Sequence, residues 1–299
     1  MRFLPLARLL RLPNVFTAFA DIALGLCATY ALSPSVVDDG FWWKAALLLV
    51  ASGCLYTAGM VWNDYFDLAE DKRDRPFRPL PSGRISVRTA VAIGTLLLLG
   101  GWACAAATGK TGSIVGGALA AAILAYDARI KRTSAGPFGM ALCRFLNVLL
   151  GLSLADGAAL PVATRVHLAL TVGVYIVGVT WFARTEEKRS DPKVLTKAAL
   201  VMLAAALLAL AAATRVPPGT SSPLFPYLLV AWGFWVGGPV VAAVRKPTPD
   251  RVQAGVKRAI FGLVGLDALL ASVFVGTPGF LLILLLPPAL LLGKWVYST

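Results

Sequence analysis

Histidine is all but absent from this chain, with His167 the single imidazole in 299 residues. It falls at the start of an apolar run, away from the charged loops, so imidazole catalysis and His-ligated metals drop out. Charge is scarce too, at 14% of residues against 58% hydrophobic, far from the balance of a water-soluble domain. A soluble core cannot absorb that much apolar surface, whereas about twenty apolar residues cross a bilayer as one helix. Cysteine is sparse, and Cys27, Cys54, Cys104 and Cys143 all lie in apolar runs without a CxxC pair. That excludes a thiolate zinc site and leaves them as packing residues. The formal charge of +13 comes from Lys and Arg scattered between apolar runs. With no basic face, nucleic acid is not an expected partner. No small-residue cleavage site follows the first apolar run, which is therefore expected to persist as a helix.

What is present is a series of ten apolar runs, near 13–32, 42–66, 86–108, 112–128, 137–155, 165–185, 194–214, 224–244, 256–275 and 279–296. They predict an all-α, polytopic membrane bundle of nine to ten transmembrane helices in one domain, 1–299. The least regular run is the last, which follows Thr277-Pro278-Gly279 and contains Pro287-Pro288. A broken or re-entrant segment is expected there. Threading the chain through a bilayer from an inner N-terminus puts 23 basic residues on one side and four, Lys44, Lys110, Arg165 and Arg215, on the other; Arg144 lies within a helix. Basic residues accumulate on the cytoplasmic side. The reading is a multi-pass cell-membrane protein, in contact with lipid, whose acidic loops are cytoplasmic.

Two acidic clusters stand out. Asn63-Asp64-Tyr65-Phe66-Asp67-Leu68-Ala69-Glu70-Asp71 closes the second run. Asp64, Asp67 and Asp71, spaced by three and four, would share a helical face. Such crowding is repulsive without a cation, and oxygen-rich sites suit Mg²⁺ bound together with phosphate. The next loop, Asp74 to Ser86, carries Arg75, Arg78 and Arg84 among prolines, as an anion clamp would. The second cluster, Thr185-Glu186-Glu187-Lys188-Arg189-Ser190-Asp191, follows the sixth run, with Glu187 and Asp191 one turn apart. It echoes the first and hints at two related halves. Between them, Tyr126 to Thr133 adds Lys131 and Arg132 as candidate phosphate ligands. Within the apolar runs, Asn14, Asp21, Arg144, Asn147 and Asp267 are polar groups that should face the bundle interior.

Together these residues resemble the UbiA family of intramembrane prenyltransferases. The pattern NDxxDxxxD is present whole at Asn63, Asp64, Asp67 and Asp71, followed by an RPxRPxPSGRIS-like stretch from Arg75 to Ser86. Arg11-Leu12-Pro13-Asn14 is similar to the family's early RPxN element, and Tyr126, Lys131 and Arg132 match its central loop. The second motif, DxxxD, stands here as Glu187-xxx-Asp191. The resemblance implies a central cavity for a polyprenyl diphosphate. Asp64, Asp67, Asp71, Glu187 and Asp191 would hold Mg²⁺ as the catalytic acids. Asn14, Asn63, Arg78, Tyr126, Lys131 and Arg132 would bind the diphosphate. Phe16, Trp62, Tyr65 or Trp181 would shield the allylic cation, and an aromatic or other electron-rich, lipophilic acceptor would attack it. The run Gly136 to Asn147 also resembles an EboC-like branch, which implies the alternative of a non-catalytic protein that binds or exports a lipophilic metabolite.

Overall fold

The computed structural model describes residues 3–185 and 190–297, so Glu187 and its neighbours at 186–189 lie outside the described residues. Among the described residues the structure is helical throughout, without strands. A short helix α1 (Phe3–Leu9) precedes α2 (Val15–Leu32) and α3 (Asp39–Phe66). After α3 come a further short helix, α4 (Leu68–Asp74), then α5 (Val87–Ala107), α6 (Lys110–Ala128) and α7 (Gly136–Gly151). The second half comprises α8 (Val162–Ala183), α9 (Pro192–Ala212), α10 (Phe225–Arg245), α11 (Pro249–Val275) and α12 (Leu286–Tyr297). Among the described residues nine segments are long and apolar enough to cross a membrane, and α7 is a shorter apolar helix. The ten expected runs are thus all present as helices.

Local chemistry sets several boundaries. Ser86 caps α5 by accepting the Thr89 N–H at 3.1 Å, and Asp191 caps α9 by accepting that of Lys193 at 2.8 Å. Pro192 and Pro249 open their helices, where a missing N–H costs nothing. α11 starts seven residues before the apolar run because its first two turns are polar, with Asp250 in the first turn. It ends at Gly276, whose φ of 69° is positive, a backbone conformation that glycine adopts without strain. The expected break in the last run is real: Thr277–Leu285 forms a nine-residue 3₁₀ helix before α12 begins.

The helices close into a ring. α2 packs on α3, α7 and α11; α3 on α5 and α6; α6 on α7; α7 on α8; α8 on α9 and α11; and α10 on α9 and α11. The last long helix thereby returns to the first. α11 is the most enclosed span, at 78% buried, whereas α5 and α9 are only 22% and 28% buried and turn Leu96, Leu99, Leu200, Leu203 and Leu207 outward. An apolar surface of that extent is stable only against lipid.

Where α2 meets α7 the backbones touch. A Cβ placed on Gly25 would lie 2.5 Å from the Gly151 carbonyl carbon, and one on Gly151 would lie 2.6 Å from the Ile22 oxygen. Small residues of this kind let membrane helices approach closely, and here they set the spacing of the polar side chains farther along both helices. Gly151→Val is expected to destabilise the protein by about 1–3 kcal/mol through overpacking. By contrast, Gly100 has open space around it, and Gly100→Ala is expected to melt like wild type. Thermal unfolding of the two purified variants checks this; equal melting temperatures would count against the close contact.

Candidate active site

The first acidic motif sits where α3 stops. The helix is interrupted at Asp67, although the Asp67 N–H still bonds the Asn63 carbonyl at 3.0 Å and the Asp71 N–H bonds the Asp67 carbonyl at 2.8 Å. The break corrects the expectation of one uniform face. Asp64 and Asp71 are buried on a common side, where Arg78 reaches both, at 3.6 and 2.7 Å. Asp67 turns the other way, toward the loop after α6, and takes Lys131 Nζ at 2.7 Å and an Arg132 nitrogen at 2.8 Å. The same Arg132 nitrogen donates to the Phe66 carbonyl at 2.8 Å, which locks that loop against the end of α3.

The segment before α2 supplies a further cation. Arg11 donates to Asp64 Oδ1 at 3.1 Å and to Asn63 Oδ1 at 3.3 Å. Its backbone has φ 46°, the sole positive φ outside glycine among the described residues. A non-glycine residue in that region is strained and persists where its surroundings fix it. Here the Asp64 ion pair and the turn into Leu12–Asn14 provide the fixing. Asn63 in turn donates to Asp127 Oδ1 at 3.0 Å, and Lys131 lies 3.9 Å from the same oxygen. Arg11 and Asp127 were not among the expected site residues, yet both belong to the network. The sequence signal for Asp127 was an acid at a helix end, four residues before Lys131.

Below this network is a cavity of about 330 Å³. Its upper wall includes Arg11, Asn14, Asn63, Tyr126 and Asp127, and its body is apolar, with Leu119, Ile123, Ile176, Val179 and Leu263. A groove between α11 and α12 shares Asn14, Val256 and Ile260 with it, and carries Lys257 and Lys294. The aromatic rings on the cavity wall are those of Tyr56 and Tyr126. Trp62, Tyr65 and Phe66 instead stack with one another, with centroids 5.4–5.8 Å apart, and with Phe16 and Trp181 they are not on the wall. Of the four rings expected to shield a cation, Phe16, Trp62, Tyr65 and Trp181, none lies on this wall, which carries Tyr56 and Tyr126 instead.

The second acidic motif is only partly in view. Asp191 is exposed and uses one carboxylate oxygen as the α9 cap; Glu187 lies outside the described residues. The end of α8 lies at the same end of the bundle as the first motif. Arg184, at the end of α8, donates to the Thr133 carbonyl at 2.8 Å, next to the residues that grip Asp67. Among the described residues no three His, Cys, Asp or Glu side chains converge tightly enough to enclose a metal ion. The donor set nevertheless fits Mg²⁺, because all the acids at the cavity mouth offer hard carboxylate oxygens. Two of them, Asp64 and Asp71, flank one cation already, the Arg78 guanidinium.

The arrangement has known counterparts. A digeranylgeranylglyceryl phosphate synthase of Ignicoccus hospitalis is 27% identical over 253 residues, covering 77% of this chain and 83% of that protein. A synthase of the same name from Methanoregula boonei is 38% identical over 160 residues, covering 50% of this chain; the chain spans only about half, 55%, of that relative's length. Among solved structures, a digeranylgeranylglyceryl phosphate synthase in membranes superposes with a TM-score of 0.67 at 19% identity, covering 93% of this chain and 99% of the other. A UbiA homologue from Archaeoglobus fulgidus, bound to GPP and Mg²⁺, gives 0.62 at 16% identity over 93% and 99%. At such identities the superpositions establish the shared fold. Residues 22–262 match the profile of the UbiA prenyltransferase family, and the chain belongs to that family.

Proposed function

We propose that this protein transfers a prenyl group from a polyprenyl diphosphate to an electron-rich, lipophilic acceptor inside the membrane. One observation carries the reading: three separate chain segments bring cations and carboxylates together at the mouth of an apolar cavity. A diphosphate is the ligand whose charge such a mixed set can hold, and an isoprenoid chain is the tail that such a cavity takes. The relatives' names and the GPP and Mg²⁺ bound by the Archaeoglobus homologue support it. Residues 1–299 act as one unit in this reading, since α2 packs on α11 across the sequence. The clustering of basic residues supports a cytoplasmic mouth.

Arg11, Arg78, Lys131 and Arg132 supply the N–H donors for the diphosphate oxygens, and Asn14, Asn63 and Tyr126 supply neutral polar contacts beside them. Asp64, Asp67 and Asp71, with Glu187 and Asp191 from the second loop, are the residues that would hold Mg²⁺. When bound, the metal neutralises charge on the departing diphosphate. The apolar walls keep water from the allylic carbon once the C–O bond lengthens, so that the acceptor intercepts the cation. The rings of Tyr56 and Tyr126 present electron-rich faces to it. A second reading, binding without turnover, is favoured by one feature: Asp64, Asp67 and Asp71 each already have a basic partner.

Three outcomes test the enzyme. Asp67→Ala is expected to lower Mg²⁺-dependent transfer from a radiolabelled prenyl diphosphate by about 10²-fold or more, with membrane insertion unchanged; full activity of this variant in excess chelator would sink the mechanism. Arg78→Met should raise KM for the prenyl diphosphate by about 10- to 100-fold, the worth of one charge-assisted hydrogen bond. Finally, Glu187→Asp should be milder than Glu187→Ala, and wild-type rates for both would remove the second loop from the site. Saturable binding of the prenyl diphosphate without diphosphate release, across a broad acceptor panel, would favour the non-catalytic reading instead.

A further inference from the structure

Two acids in the heart of the bundle take no part in the proposed transfer. Asp21 in α2 and Asp267 in α11 are both wholly buried, and their carboxyl groups lie within hydrogen-bonding reach of one another. Asp21 Oδ2 is well served: Arg144 on α7 donates to it at 3.0 Å, and Asn147, one turn on, at 2.9 Å. As two carboxylates, however, the pair would leave three oxygens, Asp21 Oδ1 and both of Asp267, without a donor among the described residues. The hydroxyls nearby are committed elsewhere. Ser52 on α3 donates to Asn147 Oδ1 at 2.8 Å, Tyr175 on α8 to the Ala259 carbonyl at 2.7 Å, and Ser272 on α11 to the Leu269 carbonyl at 2.7 Å. Tyr56 on α3 presents its ring face to Arg144, 5.5 Å from the guanidinium. Arg144 is the cation that meets the pair.

Three protonation states are open to the trio of Arg144, Asp21 and Asp267, and burial chooses among them. With no proton on either acid the net charge is −1, and two carboxylates face each other in a dry site. With both acids protonated it is +1, and the Arg144 side chain, only 13% exposed, loses its counter-ion. One proton between the two acids gives zero, the state that leaves no buried charge unmatched. The hydrogen bonds then say which acid carries it. Asp21 accepts two N–H bonds, as a carboxylate does, whereas Asp267 accepts none. A protonated Asp267 has an O–H to give, and Asp21 Oδ1 is the free acceptor it meets.

We infer that the Asp21–Asp267 pair is a buried proton-binding site, in which Asp267 holds one proton at neutral pH and donates it in a hydrogen bond to Asp21 Oδ1. The bound proton ties α2 to α11, the two helices that close the ring across the length of the sequence. Its reach extends to the cavity, because Arg144 and Asn147 line the wall and both hold Asp21. The proton therefore acts as a structural ligand that fixes two wall side chains through Asp21. Its binding does not depend on the transfer reaction.

Infrared spectra of the full chain at neutral pH test this, in nanodiscs of ether-linked lipid, which has no ester carbonyl to mask the C=O stretch of a protonated carboxyl group. Wild type is expected to show that band, and the Asp267→Asn spectrum to lack it. Arg144→Met removes the cation, so both acids should hold a proton and the band should about double. Asp267→Asn keeps an N–H donor for Asp21 and should melt within about 2 °C of wild type, whereas Asp267→Ala, with no donor, should melt about 3–10 °C lower. If Asp267→Ala does not fold, the spectra of wild type and Asp267→Asn decide alone. The inference is overturned by an acid band that Asp267→Asn leaves unchanged, by no gain of band in Arg144→Met, or by an Asp267→Ala protein as stable as wild type. A melting temperature that rises with Na⁺ in wild type but not in Asp267→Asn also overturns it, since a metal cation would then stand in the proton's place.

Discussion

Charge inside a low-dielectric bundle has to be matched, and that requirement organises this protein. A single buried carboxylate without a partner costs several kcal/mol; the cavity mouth concentrates four, Asp64, Asp67, Asp71 and Asp127. Each is met by a cation or an amide from a different stretch of chain: Arg11 before α2, Arg78 after α4, Lys131 and Arg132 after α6. The helices therefore arrive at the mouth tied to one another by ion pairs, and the apolar cavity hangs beneath that ring. The same pairing recurs at depth, where Arg144 meets Asp21 at 3.0 Å.

Seen this way, the pairing also describes how the mouth changes hands. Under the proposed function, an incoming diphosphate would compete for Arg78 and Lys131, and a metal would compete for the acids they release. Neither needs a new cluster to be built, because acids and bases are already interleaved within 4 Å of each other. The helix interruption at Asp67 serves this arrangement. It sends one carboxylate toward the central loop while leaving two on Arg78, so two loops are engaged by a motif of nine residues.

Much of this was legible in the chain. A bilayer demands long apolar runs, so all ten helices announced themselves, and in a sequence so poor in acids the crowding of Asp64, Asp67 and Asp71 was conspicuous. The polar start of α11 was not legible, because an apolar period cannot flag turns such as Asp250–Gln253 that face water. Arg11 was visible only as the first residue of the Arg11–Asn14 element, since its left-handed backbone and its reach to Asp64 are products of tertiary packing. Asp127 was overshadowed by Lys131 and Arg132. Asp21, Arg144 and Asp267 were recognisable only as inward-facing, being separated by more than a hundred residues; the glycine contact between α2 and α7 brings the first two together. Sequence reveals the depth of a residue in a membrane helix far better than the neighbour it will face.

The last segment looks peripheral, since its apolar residues are only 17% buried. Yet α12 packs on Leu12–Asn14, a Cβ placed on Gly293 would lie 3.9 Å from Pro13 Cβ, and Arg8 donates to the Val296 carbonyl at 2.9 Å. The two chain ends thus form a single buckle behind the strained Arg11 turn. Loss of α12 would be felt at the cavity rim, nearly the whole sequence away along the chain but only a side chain away in space.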